Sequence, residues 1–171
     1  MTSVGIDGIE VWTGNLRLDL AETFAPVRDE DPEKYTKGLG LQASSFPDTY
    51  EDIVTMGANA AKRLLERKGL RPDDVGRIDV ATESAFDNSK PVSTYIAGCL
   101  EQTFDGDFRH ANKGERKFAC VAGTQSIDDA YNWIRAGRHR GRAALVIATD
   151  TALYARGDPG EATQGAGAVA M

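Results

Sequence analysis

Apolar side chains are distributed along the chain in distinct patterns, and these patterns predict strands that alternate with helices. Between residues 49 and 68 they return every three or four positions, which predicts an amphipathic helix. Asp48 or Thr49 is expected to cap the start of this helix, and Gly69 its end. Residues 142–149 are almost continuously apolar, which is typical of a central strand buried on both faces.

The remaining elements follow from the same reasoning. Further strands are predicted over residues 4–11, 77–82, 117–120 and 165–171, and further helices over 91–104 and 123–136. Residues 16–24 form a short amphipathic stretch compatible with a helix, and 105–115 predict a polar loop. The alternation predicts an α/β fold with a mixed β-sheet flanked by helices. Because no linker or repeat interrupts it, residues 1–171 are expected to form a single α/β domain.

The last predicted strand, over residues 165–171, stands at the end of the sequence. A buried strand in that position would leave backbone groups and apolar surface without cover. The sequence is therefore interpreted as the first part of something larger, or as half of an assembly.

Composition and charge narrow the class of protein. Hydrophobic residues make up 41% of the chain and charged residues 27%, with a net charge of -6, which is the profile of a folded soluble domain. The acidic balance argues against general nucleic-acid binding. Two cysteines are too few for a disulfide framework, and neither a signal peptide nor an apolar run of membrane-spanning length is visible. These features predict a cytoplasmic protein that binds no membrane.

Cys120 is the first candidate for chemistry, because it lies where a predicted strand meets a predicted helix. The positive end of a helix favours the thiolate over the thiol, and its N–H groups are suited to hold an oxyanion. The small neighbours Ala119, Ala122 and Gly123 would let a substrate approach closely. The alternative is a buried cysteine that acts as a small hydrophobic residue.

Glu83 is the second candidate, at the end of the strand predicted over residues 77–82. A carboxylate there is suited to proton transfer, and the alternative is a solvated loop glutamate. The only histidines, His110 and His139, do not lie at metal-ligand spacing from a cysteine or carboxylate, so no metal site is expected. No glycine-rich phosphate-binding motif follows the first strand.

Several segments together resemble one family, the 3-hydroxy-3-methylglutaryl-CoA synthases, and in particular its archaeal and bacterial members. They are residues 31–40 (DPEKYTKGLG), 81–84 (ATES), 87–90 (DNSK), 119–124 (ACVAGT), 130–134 (AYNWI), 146–150 (VIATD) and 160–169 (GEATQGAGAV). They occur in family order and cover nearly the whole chain, which corresponds to about the N-terminal half of the family's usual length. The resemblance implies the N-terminal half of a thiolase-like fold.

The resemblance also implies a reaction and a set of residues. Cys120 looks like the nucleophile that accepts an acetyl group from acetyl-CoA, and Glu83 like the general acid/base that deprotonates this acetyl group for addition to acetoacetyl-CoA. By position, Thr163, Asp31 and Pro32 look like contacts of the acyl-CoA. CoA thioesters are then substrates, no cofactor is expected, and the product belongs to the mevalonate route to isoprenoids.

The chain departs from the family pattern in one respect. The family's catalytic histidine and its partner asparagine lie in the C-terminal half, which this sequence lacks, and neither His110 nor His139 matches that position. The chain alone is therefore expected to turn over poorly. The expected partners are a second copy, a complementing C-terminal half, or a thiolase that makes acetoacetyl-CoA. Two alternatives stay open: a ketoacyl synthase type of condensing enzyme, and a non-catalytic subunit of a thiolase-fold assembly.

Overall fold

The computed structural model describes residues 3–171, which form two β-sheets and four α-helices. The strands are β1 (Glu10–Thr13), β2 (Leu16–Asp19), β3 (Ala43–Phe46), β4 (Val75–Ala81), β5 (Asn112–Arg116), β6 (Ala143–Ala152) and β7 (Gly165–Ala170). The helices are α1 (Ala25–Arg28), α2 (Ile53–Lys68), α3 (Val92–Glu101) and α4 (Ala122–Arg135). Short π-helical segments at Leu20–Phe24 and Lys34–Leu39, and 3₁₀ turns at Pro72–Asp74 and Glu161–Thr163, complete the fold.

The main sheet has the strand order β1-β7-β6-β4-β5 and is mixed, as the sequence predicts. Strands β4, β5 and β6 run parallel to one another, whereas β7 runs antiparallel to both β6 and β1. The chain moves outward through β4, α3 and β5 and then back through α4 to β6. Because such crossovers are right-handed, α3 and α4 lie on opposite faces of the sheet, and α2 packs beside α3.

The main core lies between α2, α3 and the sheet. The α2 residues Met56, Ala60 and Ala61 have no exposed surface, and they pack with fully buried Ile78 and Ile147 of the sheet. The expectation that residues 142–149 form a central strand is confirmed, since β6 is the middle strand of five. This arrangement fixes the ends of β4 and β6, which carry the candidate site.

Helix α2 begins later than the sequence predicts. Its capping residue is Asp52, whose Oδ1 accepts the Thr55 backbone N–H at 2.7 Å, while Thr55 Oγ1 accepts the Asp52 N–H at 2.7 Å. The prediction that Asp48 or Thr49 caps the helix is wrong, because this reciprocal pair satisfies the first turn. The predicted end is confirmed: Gly69 follows the helix in the left-handed conformation, at φ 64°.

Three further predicted elements, over residues 4–11, 16–24 and 117–120, also differ from the structure. The first strand begins at Glu10 rather than at residue 4, and residues 16–24 form β2 followed by a π-helical segment instead of one helix. The strand predicted over 117–120 is wrong: β5 spans Asn112–Arg116, and all but its last residue lie within residues 105–115, where a loop is predicted. Strand β5 has no apolar pattern from which it could be predicted, because it is a polar edge strand that pairs only with β4 within residues 3–171.

Strand β7 is an interior strand, and the expectation that it would lack cover is wrong for its backbone. It pairs with β1 on one side and with β6 on the other. Met171, which follows it, exchanges two hydrogen bonds with Val146 at 2.8 and 2.9 Å. Gly167 allows the close approach of β1, since a Cβ on this residue would lie 3.2 Å from the Trp12 carbonyl oxygen.

Candidate active site

The chemistry-bearing positions collect at one edge of the main sheet, which we call the carboxyl edge. It is formed by the last residues of the parallel strands β4, β5 and β6, namely Ala81, Arg116 and Ala152, and by the first residue of antiparallel β7, Gly165. Ligands of open α/β sheets bind outside the carboxyl ends of the strands. This edge is therefore the place where a substrate is expected.

Cys120 lies in the connection that leaves the carboxyl edge after β5 and enters α4. Its thiol is free and the residue is exposed, so the alternative of a buried hydrophobic cysteine is not what the structure shows. Ala119 holds the left-handed conformation at φ 43°, which turns the chain sharply just before the cysteine. Helix α4 begins two residues later at Ala122, one residue before the predicted start.

The backbone N–H groups after Cys120 divide into two sets. Those of Val121 and Ala122 donate to the Phe118 carbonyl oxygen at 3.1 and 3.2 Å, which closes the turn. Within residues 3–171, the N–H groups of Gly123 and Thr124 meet no acceptor, as is usual in the first turn of a helix. The positive end of α4 thus faces the segment that carries the thiol, as the sequence predicts.

Glu83 is exposed at the carboxyl edge, two residues after the end of β4, and its backbone is held by Asp150 of β6. One carboxylate oxygen of Asp150, Oδ1, accepts the N–H groups of Glu83 at 2.7 Å and of Ser84 at 3.1 Å. The same oxygen accepts the hydroxyls of Ser84 at 2.8 Å and of Thr82 at 3.1 Å. Ser84 Oγ also accepts the Thr151 N–H at 3.1 Å, so the loop is fixed to β6.

The segments that carry Glu83 and Cys120 leave adjacent parallel strands at the same level. Ala81 pairs with Arg116 in the last register position of β4 and β5, and the Thr82 N–H donates to the Arg116 carbonyl oxygen at 3.2 Å. Glu83 follows directly on one side, and Cys120 follows four residues after Arg116 on the other. The structure therefore places the segments of the two residues that the sequence singles out on the same sheet edge, with both residues exposed to solvent.

The loop after Glu83 is ordered by Asp87, which the sequence reasoning did not single out by itself. The Asp87 carboxylate accepts the backbone N–H groups of Lys90 at 3.0 Å and Ser89 at 2.8 Å, and the Tyr95 hydroxyl at 2.7 Å. These hydrogen bonds stabilise the carboxylate and lower the pKa of Asp87 to about 2. The folded loop presents Phe86 to solvent beside the Tyr95 ring.

Asp31, Pro32 and Thr163 lie in two other exposed segments. Asp31 and Pro32 precede the π-helical segment Lys34–Leu39, and Thr163 ends a 3₁₀ turn just before β7, at the carboxyl edge. Arg28 and Glu161 form an ion pair between these two segments, with Arg28 Nε 2.9 Å from Glu161 Oε2. The structure thus joins the segments of these predicted contacts. Within residues 3–171, the side chains of Asp31 and Thr163 form hydrogen bonds only inside their own turns.

The two histidines lie away from this site. His110 precedes β5 and His139 precedes β6, so both are at the opposite, amino edge of the parallel strands. Across residues 3–171, no three histidine, cysteine, aspartate or glutamate side chains are grouped as a metal site would require. In the same range, no helix has the length and apolar character needed to cross a bilayer.

Comparison with known families identifies the class of this chain. Residues 1–171 match the family described as the N-terminal part of hydroxymethylglutaryl-coenzyme A synthase. The chain therefore belongs to the hydroxymethylglutaryl-CoA synthase family, and the expected thiolase-like α/β fold is confirmed by the structures it resembles.

Individual relatives agree with this assignment. The chain is 85% identical over 171 residues to the hydroxymethylglutaryl-CoA synthase of Haloferax volcanii, which covers all of this chain and 38% of that protein. It superimposes with a TM-score of 0.90 and 36% identity on MvaS in complex with 3-hydroxy-3-methylglutaryl coenzyme A, covering 97% of this chain and 38% of the other. An HMG-CoA synthase complexed with CoA gives a TM-score of 0.85 at 35% identity, covering 98% and 40%. The chain thus spans about two fifths of the length of these relatives.

Proposed function

We propose that this chain provides the acetyl-accepting part of a hydroxymethylglutaryl-CoA synthase. The Cys120 thiol loses its proton, and the resulting thiolate attacks the carbonyl carbon of acetyl-CoA. The carbon–sulfur bond to CoA breaks, and the released CoA sulfur takes up one proton and leaves as a thiol. An acetyl-cysteine results. The observation that carries this proposal is the exposed Cys120 thiol at the amino end of α4, on the same sheet edge as Glu83.

Glu83 is proposed to act in the second step. Its carboxylate takes a proton from the methyl carbon of the acetyl-cysteine, and that carbon adds to the ketone carbon of acetoacetyl-CoA. The ketone oxygen takes up one proton and becomes the hydroxyl group of the product. Water then breaks the bond between the acyl group and the Cys120 sulfur, which releases 3-hydroxy-3-methylglutaryl-CoA. The four hydrogen bonds to Asp150 support this role, because a general base needs a fixed backbone beside the reacting carbon.

Asp31, Pro32 and Thr163 are proposed to contact the acyl-CoA. All three are exposed, and the ion pair between Arg28 and Glu161 joins their segments near the carboxyl edge. The relatives described in complex with 3-hydroxy-3-methylglutaryl coenzyme A and with CoA support a CoA thioester as the ligand. The proposed substrates are acetyl-CoA and acetoacetyl-CoA, with no further cofactor.

We also propose a pathway, a cellular location and an assembly for this chain. The reaction is assigned to the mevalonate route to isoprenoids in the cytoplasm, and the chain is proposed to act as a homo-oligomer or with a complementing C-terminal half. Strand β5 supports self-association, because its outer edge has no strand partner within residues 3–171. A complex with an acetoacetyl-CoA thiolase would deliver the second substrate directly.

Mass spectrometry after incubation with acetyl-CoA tests the central step. We expect the peptide that contains Cys120 to gain one acetyl group when the chain is mixed with the C-terminal part of the Haloferax relative. Cys120→Ser should abolish this label, and Cys99→Ser is the matched control that should keep it. Acetylation of Cys99 instead, or no acetylation in the mixture, would contradict the proposal.

A second variant separates this function from a ketoacyl synthase type of condensing enzyme. Glu83→Gln keeps the size of the side chain and removes the base. In the mixture with the C-terminal part, we expect the acetyl-cysteine to form while condensation with acetoacetyl-CoA is lost. Condensation at the wild-type rate would favour the ketoacyl synthase type, which does not depend on this glutamate.

A further inference from the structure

Arg28 and Glu161 form a largely buried ion pair between distant parts of the chain. They are 133 positions apart, and their side chains are only 21% and 8% exposed. The pair is bidentate: Arg28 Nε donates to Glu161 Oε2 at 2.9 Å, and Nη2 donates to Oε1. A surface pair such as Arg71 and Asp105, at 57% and 97% exposure, has no comparable shielding from water.

The surroundings of the pair form a small core separate from the main one. Leu20, Phe24, Ala25 and Tyr35 are buried together with Ala162, the neighbour of Glu161. The Arg28 guanidinium also lies 5.0 Å from the centre of the Phe24 ring. This small core therefore consists of the same two segments that the ion pair joins.

Each partner of the pair is fixed within its own turn. Glu161 Oε2 also accepts the Gly157 N–H at 2.9 Å, which holds the turn before Thr163. After Arg28, Asp29 is left-handed at φ 53°, and the Glu30 N–H donates to the Ala25 carbonyl oxygen at 3.0 Å. The chain then reaches Asp31 three residues after Arg28, and Thr163 two residues after Glu161.

We propose that Arg28 and Glu161 are positioning residues for the acyl-CoA. Their ion pair locks the segment that carries Asp31 and Pro32 onto the turn that carries Thr163, so that both walls of the substrate site are assembled before the substrate binds. Neither residue needs to touch the substrate. This inference rests on the proposed function, since it takes Asp31, Pro32 and Thr163 as the contacts of a CoA thioester.

A preassembled site lowers the cost of ordering two segments on binding, so the pair is expected to affect affinity rather than the chemical step. In Arg28→Gln and Glu161→Gln we expect the dissociation constant of coenzyme A to rise about tenfold. The rate of Cys120 acetylation at saturating acetyl-CoA should stay within about twofold of the wild type. Equilibrium dialysis and mass spectrometry measure these two quantities, in mixtures with the C-terminal part of the Haloferax relative.

Hydrogen exchange tests the lock without any substrate. We expect amide exchange to increase in residues 25–41 and 157–164 together in each single variant, while the α2 amides keep their protection. The charge-swapped double variant, Arg28→Glu with Glu161→Arg, should exchange more slowly and bind coenzyme A more tightly than either single variant, although it loses the acceptor of the Gly157 N–H. Arg28→Lys should lie between the wild type and Arg28→Gln. Arg71→Gln, which removes the exposed pair with Asp105, is the matched control and should change neither property.

The outcomes separate the two proposals. Unchanged exchange in both segments, or unchanged affinity for coenzyme A, in the single variants would overturn the positioning role. If the single variants unfold, the charge-swapped variant decides, provided that it folds. Slow amide exchange and coenzyme A binding in this variant support the positioning role, and loss of coenzyme A binding overturns it. A wild-type chain that binds no coenzyme A also overturns it, whereas one that binds coenzyme A but is not acetylated overturns the proposed function alone.

Discussion

Asp150 accepts the backbone N–H of Glu83 at 2.7 Å, although the two residues lie 67 positions apart in the sequence. The bond connects the extended end of β6 to the loop that follows β4. Because the same Asp150 oxygen accepts three further hydrogen bonds from Thr82 and Ser84, the position of Glu83 depends on one carboxylate.

Removal of that carboxylate should loosen the Glu83 loop. In Asp150→Ala the four donors lose their acceptor, and we expect the free energy of unfolding to fall by roughly 1–3 kcal/mol. Asp150→Asn keeps an oxygen at the same place without the charge and should lose less. Urea denaturation followed by circular dichroism measures both changes.

Asp128→Ala serves as the control for this prediction, since Asp128 is exposed and accepts one hydrogen bond, from the Asn132 side chain at 3.0 Å, in the described part of the chain. We expect its effect to stay within about 0.5 kcal/mol. Equal losses in the Asp128 and Asp150 variants would show that the loop does not depend on Asp150.

Ala119 tests the sharp turn before Cys120. At φ 43° a β-branched side chain is strained, so Ala119→Val should lower the free energy of unfolding by about 1–2 kcal/mol. Ala119→Gly suits this conformation and should change it by less than about 1 kcal/mol. Thermal and urea denaturation of the two variants give the comparison, and a more stable valine variant would rule out the left-handed turn.

The cap of α2 offers a direct contrast between two aspartates. Asp52→Ala removes the side chain that accepts the Thr55 N–H, so we expect a loss of about 1 kcal/mol in unfolding free energy. Asp48→Ala should cost less, because Asp48 Oδ1 accepts from the neighbouring Thr49 and not from the first turn of α2. If urea denaturation shows a larger loss of unfolding free energy for Asp48→Ala than for Asp52→Ala, Asp48 caps the helix as the sequence predicts.

The stability of the protein should depend on Glu161 in acid. The hydrogen bond from Arg28, followed by that from Gly157, lowers the pKa of Glu161 from its usual 4.5 to about 2. Its contribution to folding is therefore fully present above pH 4.5 and is lost as the pH falls from 4.5 toward 2.

Urea denaturation at a series of pH values measures this dependence. Glu161→Gln cannot ionise, so its stability should fall less steeply than that of the wild type between pH 4.5 and 2. Identical slopes for the two proteins would contradict the low pKa of Glu161.

The parts of the fold with a strong local pattern could be predicted from the sequence. Helix α2 follows from apolar periodicity and strand β6 from a continuous apolar run, and a glycine in the left-handed conformation ends α2 as expected. Strand β5 could not be predicted, because its residues are polar and its place depends on pairing with β4. Pairing between distant segments leaves no periodic signal in one of them alone.

The same distinction applies to the candidate site. Cys120 and Glu83 could be singled out because each follows or precedes a recognisable element. Asp150 and the pair Arg28–Glu161 could not, since their partners are distant in the sequence. A polar residue at the end of an apolar strand, as in Thr149–Asp150, was the one available signal for Asp150.

Strand β6 continues four residues past the point where β4 stops, since Ala81 pairs with Ala148 and β6 ends at Ala152. The overhanging residues Asp150 and Thr151 hold residues 82–84 by hydrogen bonds. The loop between residue 84 and α3 can therefore change in length or shape across evolution without moving Glu83. Changes in those residues would then alter the surface around the proposed general base without displacing it.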